Sequence, residues 1–122
     1  MIVAGFGFRQ DAGLESLLDA LHLASEGREV DRLAAPKDKS EGAVFQALAD
    51  RLNLPVVAVA PDALAAQTTI TMSPASMDAR GTSSVAEAAA LAAVGEGGRL
   101  LGARVVSTDR QATCALAEGG PS

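Results

Sequence analysis

The sequence predicts a three-layer α/β domain with a mostly parallel sheet and one antiparallel strand at its C-terminal end. Three observations carry that prediction. Short apolar runs alternate with stretches of helical period in the order β-α-β-α-β-loop-α-β-β, the alternation that builds a layered sheet with helices on its faces. The run "PVVAVAP" (55–61), β-branched and bracketed by prolines, is the clearest strand. The last two apolar runs, "RLLGARVVS" and "ATCALA", are joined only by "TDRQ", so they form an antiparallel hairpin.

Each element follows from its own residues. "IVAGFGF" (2–8) is a short apolar run ending in glycines and reads as a buried first strand. Asp11 is the candidate cap of a first helix in which Leu14, Leu17, Leu18 and Leu21 recur at helical spacing, ending near Gly27. "VDRLAAP" (30–36) is a weaker second strand. Asp38 and Glu41 then stand at capping-box spacing before a helix with Val44, Phe45, Leu48 and Leu52 on its buried face. "DALAAQ" after the third strand fits one helical turn. Residues 67–80 have no clear period and read as a long loop, of the kind that often carries function. Ser84 opens the third main helix, which ends at Gly95, and residues 118–122 read as a frayed tail. The whole chain, 1–122, is one domain with no internal repeat.

Composition narrows the function classes. Ten basic against fifteen acidic residues leave a net charge of −5, which argues against nucleic acid and anionic membranes as partners. Three Phe with no Trp or Tyr offer little for base stacking. One cysteine, Cys114, excludes an intrachain disulfide and suits a reducing compartment. With a single histidine, His22, no His/Cys zinc site is expected, so no metal is assigned. The N-terminal stretch has no basic n-region, and no apolar run approaches a membrane span. A cytoplasmic, soluble protein is expected.

In sheets of this type ligands sit beyond the carboxyl ends of the strands. "GFGFRQ", "PKDKSE" and the approach to "RGTSS" should meet there. Gly5 and Gly7 raise a phosphate loop, yet Gln10 stands where the dinucleotide fingerprint wants a third glycine. Arg9 and Lys37 would present cations to the crevice, and Arg80 would add another. Ser84 and Glu87 form an S-x-x-E capping box, while Gly81, Thr82 and Ser83 before it leave a small approach to free helix amides that favour an anion. No catalytic constellation emerges: Lys37, Glu41, Asp38 and Asp78 are conceivable acids or bases without an evident pairing, His22 reads as a surface helix residue, and Cys114 as an inert core thiol.

Several stretches together resemble a known family. "GTSSVAEAAAL" (81–91) followed by "GGRLLGARVVSTDRQATCALA" (97–117), "VAGFGFRQDAG" near the start, and "KDKSEGAVFQALADRLNLPV" (37–56) resemble the cobalamin-biosynthesis family of CobE and the CbiG C-terminal domain. The resemblance spans about residues 2–117. It implies a role with a corrinoid or precorrin intermediate, held as a ligand rather than with a cofactor, and other cobalamin-pathway enzymes as further partners. Under it, Gly5, Gly7, Arg9, Lys37, Arg80, Gly81, Thr82, Ser83 and Ser84 would meet the acid arms, and Phe6, Phe8, Met72 or Met77 the apolar ring. The alternatives are a hydrolase resembling a cobalt-precorrin-5A hydrolase, with Lys37 or Glu41 as acid or base, a nucleotide-binding module built on "GFGFRQ", and a scaffold toward a pathway enzyme. CbiG proteins carry further regions that this sequence lacks, which separates the hydrolase reading from that of a binding or carrier protein.

Overall fold

The computed structural model describes residues 1–67, 69 and 84–119. Its elements in chain order are β1 (Ile2–Phe8), α1 (Leu14–Ser25), β2 (Arg32–Pro36), α2 (Lys37–Ser40), α3 (Ala43–Leu52), β3 (Val56–Val59), α4 (Pro61–Ala65), α5 (Val85–Val94), β4 (Arg99–Leu100), β5 (Val105–Val106) and β6 (Ala112–Glu118). The sheet runs β3-β2-β1-β6-β4, with β5 beside β4 on the same edge of β6. β1, β2 and β3 are parallel, and β6 alone runs against its neighbours, pairing with β1 from Ile2↔Glu118 to Phe8↔Ala112. The expected architecture is the observed one.

Strand alternation divides the core into two. Ala4 and Phe6 of β1 and Leu33 and Ala35 of β2 join Leu17, Phe45 and Leu48 from α1 and α3. The intervening Val3 and Ala34 face Leu64, Ala88 and Ala89 on α4 and α5. This is the period of two that a strand buried on both faces must show. Fully burying a Phe or Leu side chain is worth roughly 1.5–3 kcal/mol, so the five large side chains Phe6, Phe45, Leu17, Leu33 and Leu48 anchor the first layer.

β1 and α5 approach unusually closely. A Cβ at Gly5 would lie 2.2 Å from the Ala86 carbonyl oxygen and 2.4 Å from the Ala90 amide nitrogen. Only glycine on the strand and alanine on the helix allow that packing. The alanine run therefore serves contact with the sheet, as its sequence suggests.

Four local expectations are corrected. Asp11 does not cap α1: the chain first turns through an Ala12 amide to Arg9 carbonyl hydrogen bond of 3.0 Å, and Gly13 becomes the N-cap. Asp38 and Glu41 do not box the following helix. "KDKS" forms the separate turn α2, and the chain restarts at Gly42, the N-cap of α3. "RLLGARVVS" is not one strand, because the Arg104 amide leaves the β6 edge to bond the Glu87 carboxylate at 2.8 Å. The tail does not fray at 118 and 119, where Glu118 stays paired and the Gly119 amide donates to the Met1 carbonyl at 2.8 Å; residues 120–122 lie outside the described residues. The "TDRQ" hairpin forms as expected, with Arg110 in the left-handed region at φ 63°.

Candidate functional site

β1 and β2 end at Phe8 and Pro36 on the same edge of the sheet, and α5 begins there too, its Val85 side chain lying beside Gly7. This edge is where parallel topology places ligands. A cavity of about 590 Å³ opens on it, lined by Phe8, Gln10, Ala12, Asp38, Lys39 and the start of α3 from Gly42 to Phe45. That volume falls in the range of small-molecule sites.

Its floor is aromatic. Phe8 and Phe45 are stacked, 5.9 Å apart and 3° from parallel, and Phe6 meets Phe45 edge-on at 5.6 Å beneath them. The Lys39 ammonium sits 5.1 Å from the centre of the Phe8 ring, a cation–π contact. Gly42 gives α3 no side-chain cap, so the first amides of that helix are left to the cavity or to solvent. No carboxylate among the described residues pairs with Lys39 or Arg9.

The other side of the same edge carries Arg9 and Ser84. Strand alternation puts residue 9 on the side of Gly5 and Gly7, toward α5, and its backbone amide is held by the Gln111 carbonyl at 2.9 Å. Ser84 is buried and accepts the Glu87 amide at 3.4 Å, the serine half of the capping box. Glu87 is also buried, and its carboxylate receives the Arg104 amide, tying the β4–β5 connection to α5.

The structure thus sorts the residues predicted from sequence. Phe8 lines the cavity, whereas Phe6 is fully buried beneath it. Gly5 lies under α5, in space already filled by helix backbone, so the glycines of β1 are packing residues rather than a turn toward phosphate. Gly7 donates no such space either, its would-be Cβ lying 2.9 Å from the Thr113 hydroxyl. Lys37 is exposed outside the cavity lining; its carbonyl caps the α2 turn by accepting the Ser40 hydroxyl at 2.7 Å. Glu41 is likewise exposed and outside the lining. Arg80, Gly81, Thr82, Ser83, Met72, Met77 and Asp78 lie outside the described residues. Lys39, Gln10 and Phe45 were not assigned to the site from sequence. The signal that could have found them is Gly42, which breaks the helix after one turn and swings Lys39 toward the strand end.

Two remaining groups behave as expected. His22 is exposed on α1. Cys114 is buried in β6, and burial pushes its thiol far above the ordinary range. Among the described residues there is no cluster of three or more His, Cys, Asp or Glu that could hold a metal, and no helix long and apolar enough to cross a membrane.

Comparison with known proteins now decides the family. The model described as cobalamin synthesis G C-terminus matches residues 2–117. The chain belongs to the cobalamin synthesis G C-terminal family. CobE, a protein from the cobalamin biosynthetic pathway, has a structure that superposes with a TM-score of 0.85 at 34% identity, covering 96% of this chain and 89% of CobE. The cobalamin biosynthesis protein chiG from Agrobacterium tumefaciens gives 0.78 at 35% identity, covering 99% of this chain and all of that one. A cobalamin biosynthesis protein G homolog from Sulfolobus solfataricus shares the fold at 0.71 and 20% identity, and this chain spans 36% of it. No curated protein sequence matches. In this member of the G C-terminal family the β5–β6 turn is also held from α1: Asp109 accepts the hydroxyls of Ser16 and Ser107, and Asp19 accepts the Thr108 amide at 2.6 Å. Those hydrogen bonds, Ser107 foremost, hold the Asp109 carboxyl below its usual range.

Proposed function

We propose that this cobalamin-biosynthesis protein binds a corrinoid or precorrin intermediate across the carboxyl edge of its sheet, as a cytoplasmic binding or carrier protein for other enzymes of the pathway. The observation that carries the reading is the cavity itself: Phe8 stacked on the buried Phe45, with the Lys39 ammonium over the Phe8 ring and no ion pair to Lys39 among the described residues, although the Asp38 carboxylate shares the lining. A corrin ring has an apolar body and anionic arms, and such a surface matches both. Arg9 and Ser84 are the proposed ligand set on the α5 side, and Arg80, Gly81, Thr82 and Ser83, outside the described residues, are proposed from the sequence alone; the corrinoid is the ligand, with no separate cofactor.

The catalytic alternative finds less support, because neither Lys37 nor Glu41 lines the cavity. A nucleotide module on "GFGFRQ" is disfavoured by the helix packed over Gly5. The test is an absorbance titration with cobyrinic acid, for wild type, Phe8→Ala and Arg9→Ala. The proposal expects a saturable spectral change that weakens about tenfold in each variant. Equal affinity in all three proteins would place any binding elsewhere.

A further inference from the structure

Lys39 makes the one cation–π contact found among the described residues, and it makes it over the floor of the cavity. It is half-buried, without an ion-pair partner among the described residues, on the one-turn helix α2. The chain as a whole carries a charge of −5, so its long-range field repels an anionic ligand. Lys39 is the one cation of the cavity lining, beside the Asp38 carboxylate, so a preference for an acid there rests on it. A cation–π contact short of full desolvation is worth a few-fold to about tenfold in an equilibrium, whereas a hydrogen bond to a charged group is worth about tenfold to a hundredfold. A carboxylate entering the cavity therefore outcompetes the Phe8 ring for the ammonium and frees that ring face for the ligand.

Resting on the corrinoid reading above, we infer that Lys39 is the group by which this site selects rings bearing free carboxylate arms over rings whose arms are amides. Lys39 lies on Phe8 in the free protein and moves to an acid arm in the complex. A neutral amide arm gains no such partner and leaves the lysine on the ring.

The test is a pair of absorbance titrations, with cobyrinic acid and with cobinamide, whose arms are amides. Wild type, Lys39→Gln, Lys39→Arg and Arg51→Gln are compared, the last removing a cation from the far end of α3. Wild type should prefer cobyrinic acid. Lys39→Gln should lose about tenfold of that preference, with cobinamide affinity changed less than about twofold, while Lys39→Arg and Arg51→Gln keep it. An undiminished preference in Lys39→Gln, or an equal loss in Arg51→Gln, overturns the role of Lys39 while leaving corrinoid binding in place. Binding of neither compound by wild type overturns the corrinoid reading and this inference with it.

Discussion

Replacing Gly5 by alanine tests the packing that brings α5 to the sheet edge. The new Cβ would lie 2.2 Å from the Ala86 carbonyl oxygen, 2.4 Å from the Ala90 amide nitrogen and 2.9 Å from the Ala90 Cβ. Two of these are backbone atoms inside a helix, so no rotamer change relieves them. To reach even a 3.0 Å approach the helix must retreat by about 0.8 Å, in a close-packed layer that also holds β2 and β6. Overpacking costs typically 1–3 kcal/mol, and backbone against backbone belongs at the upper end, about 3 kcal/mol. Gly102→Ala is the matched control, since nothing lies within 4 Å of its Cβ. It should be neutral or stabilising by up to about 1 kcal/mol through the unfolded chain. Urea unfolding followed by far-ultraviolet circular dichroism is the assay, because the chain has neither Trp nor Tyr. A Gly5→Ala protein within about 0.5 kcal/mol of wild type would refute the packing argument.

Other consequences follow from the same structure. Glu87→Ala removes the acceptor of the half-buried Arg104 amide, and should cost about 1–2 kcal/mol in urea unfolding, with Glu87→Gln costing less because it keeps an acceptor oxygen. The Asp109 carboxyl is held below its usual 3.8 by its hydrogen bonds, so its stabilisation is complete above that value and is lost as pH falls through the lower folded value. Thermal scans from pH 6 downward should show wild type losing more of its advantage over Asp109→Asn than over the pH 6–8 range; parallel curves would contradict this. The Cys114 thiol is buried and its ionisation suppressed, so iodoacetamide should label the unfolded chain rapidly and the native protein only at the rate of opening.

Much of the fold was legible because strand and helix periods differ. The alternation of β1 and β2 and the Leu spacing of α1 are local patterns that survive packing unchanged. Capping was less legible. Asp11 and Asp38 look like caps locally, but the turn at residues 9–12 and the break at Gly42 are set by how each strand end must turn back onto the sheet. The role of Gly5 was misleading for a related reason: glycine serves a phosphate turn or a close helix equally well, and only the position of α5 distinguishes them. Arg9 follows directly after the first strand, which places it at the sheet edge, whereas Phe8 is the last residue of that strand and its place in the cavity lining is not distinguished from that of Phe6 by sequence. Lys39 differs from Lys37 only in its angle around a single helical turn, which no periodicity resolves.

The most direct test of corrinoid binding at the sheet edge is amide chemical-shift mapping of the full chain with diamagnetic dicyanocobyrinic acid. The structure predicts saturable shifts concentrated at Phe8, Arg9, Gln10, Lys39 and the Gly42–Phe45 start of α3. Shifts confined to the opposite edge, or none at saturating concentration, would contradict it.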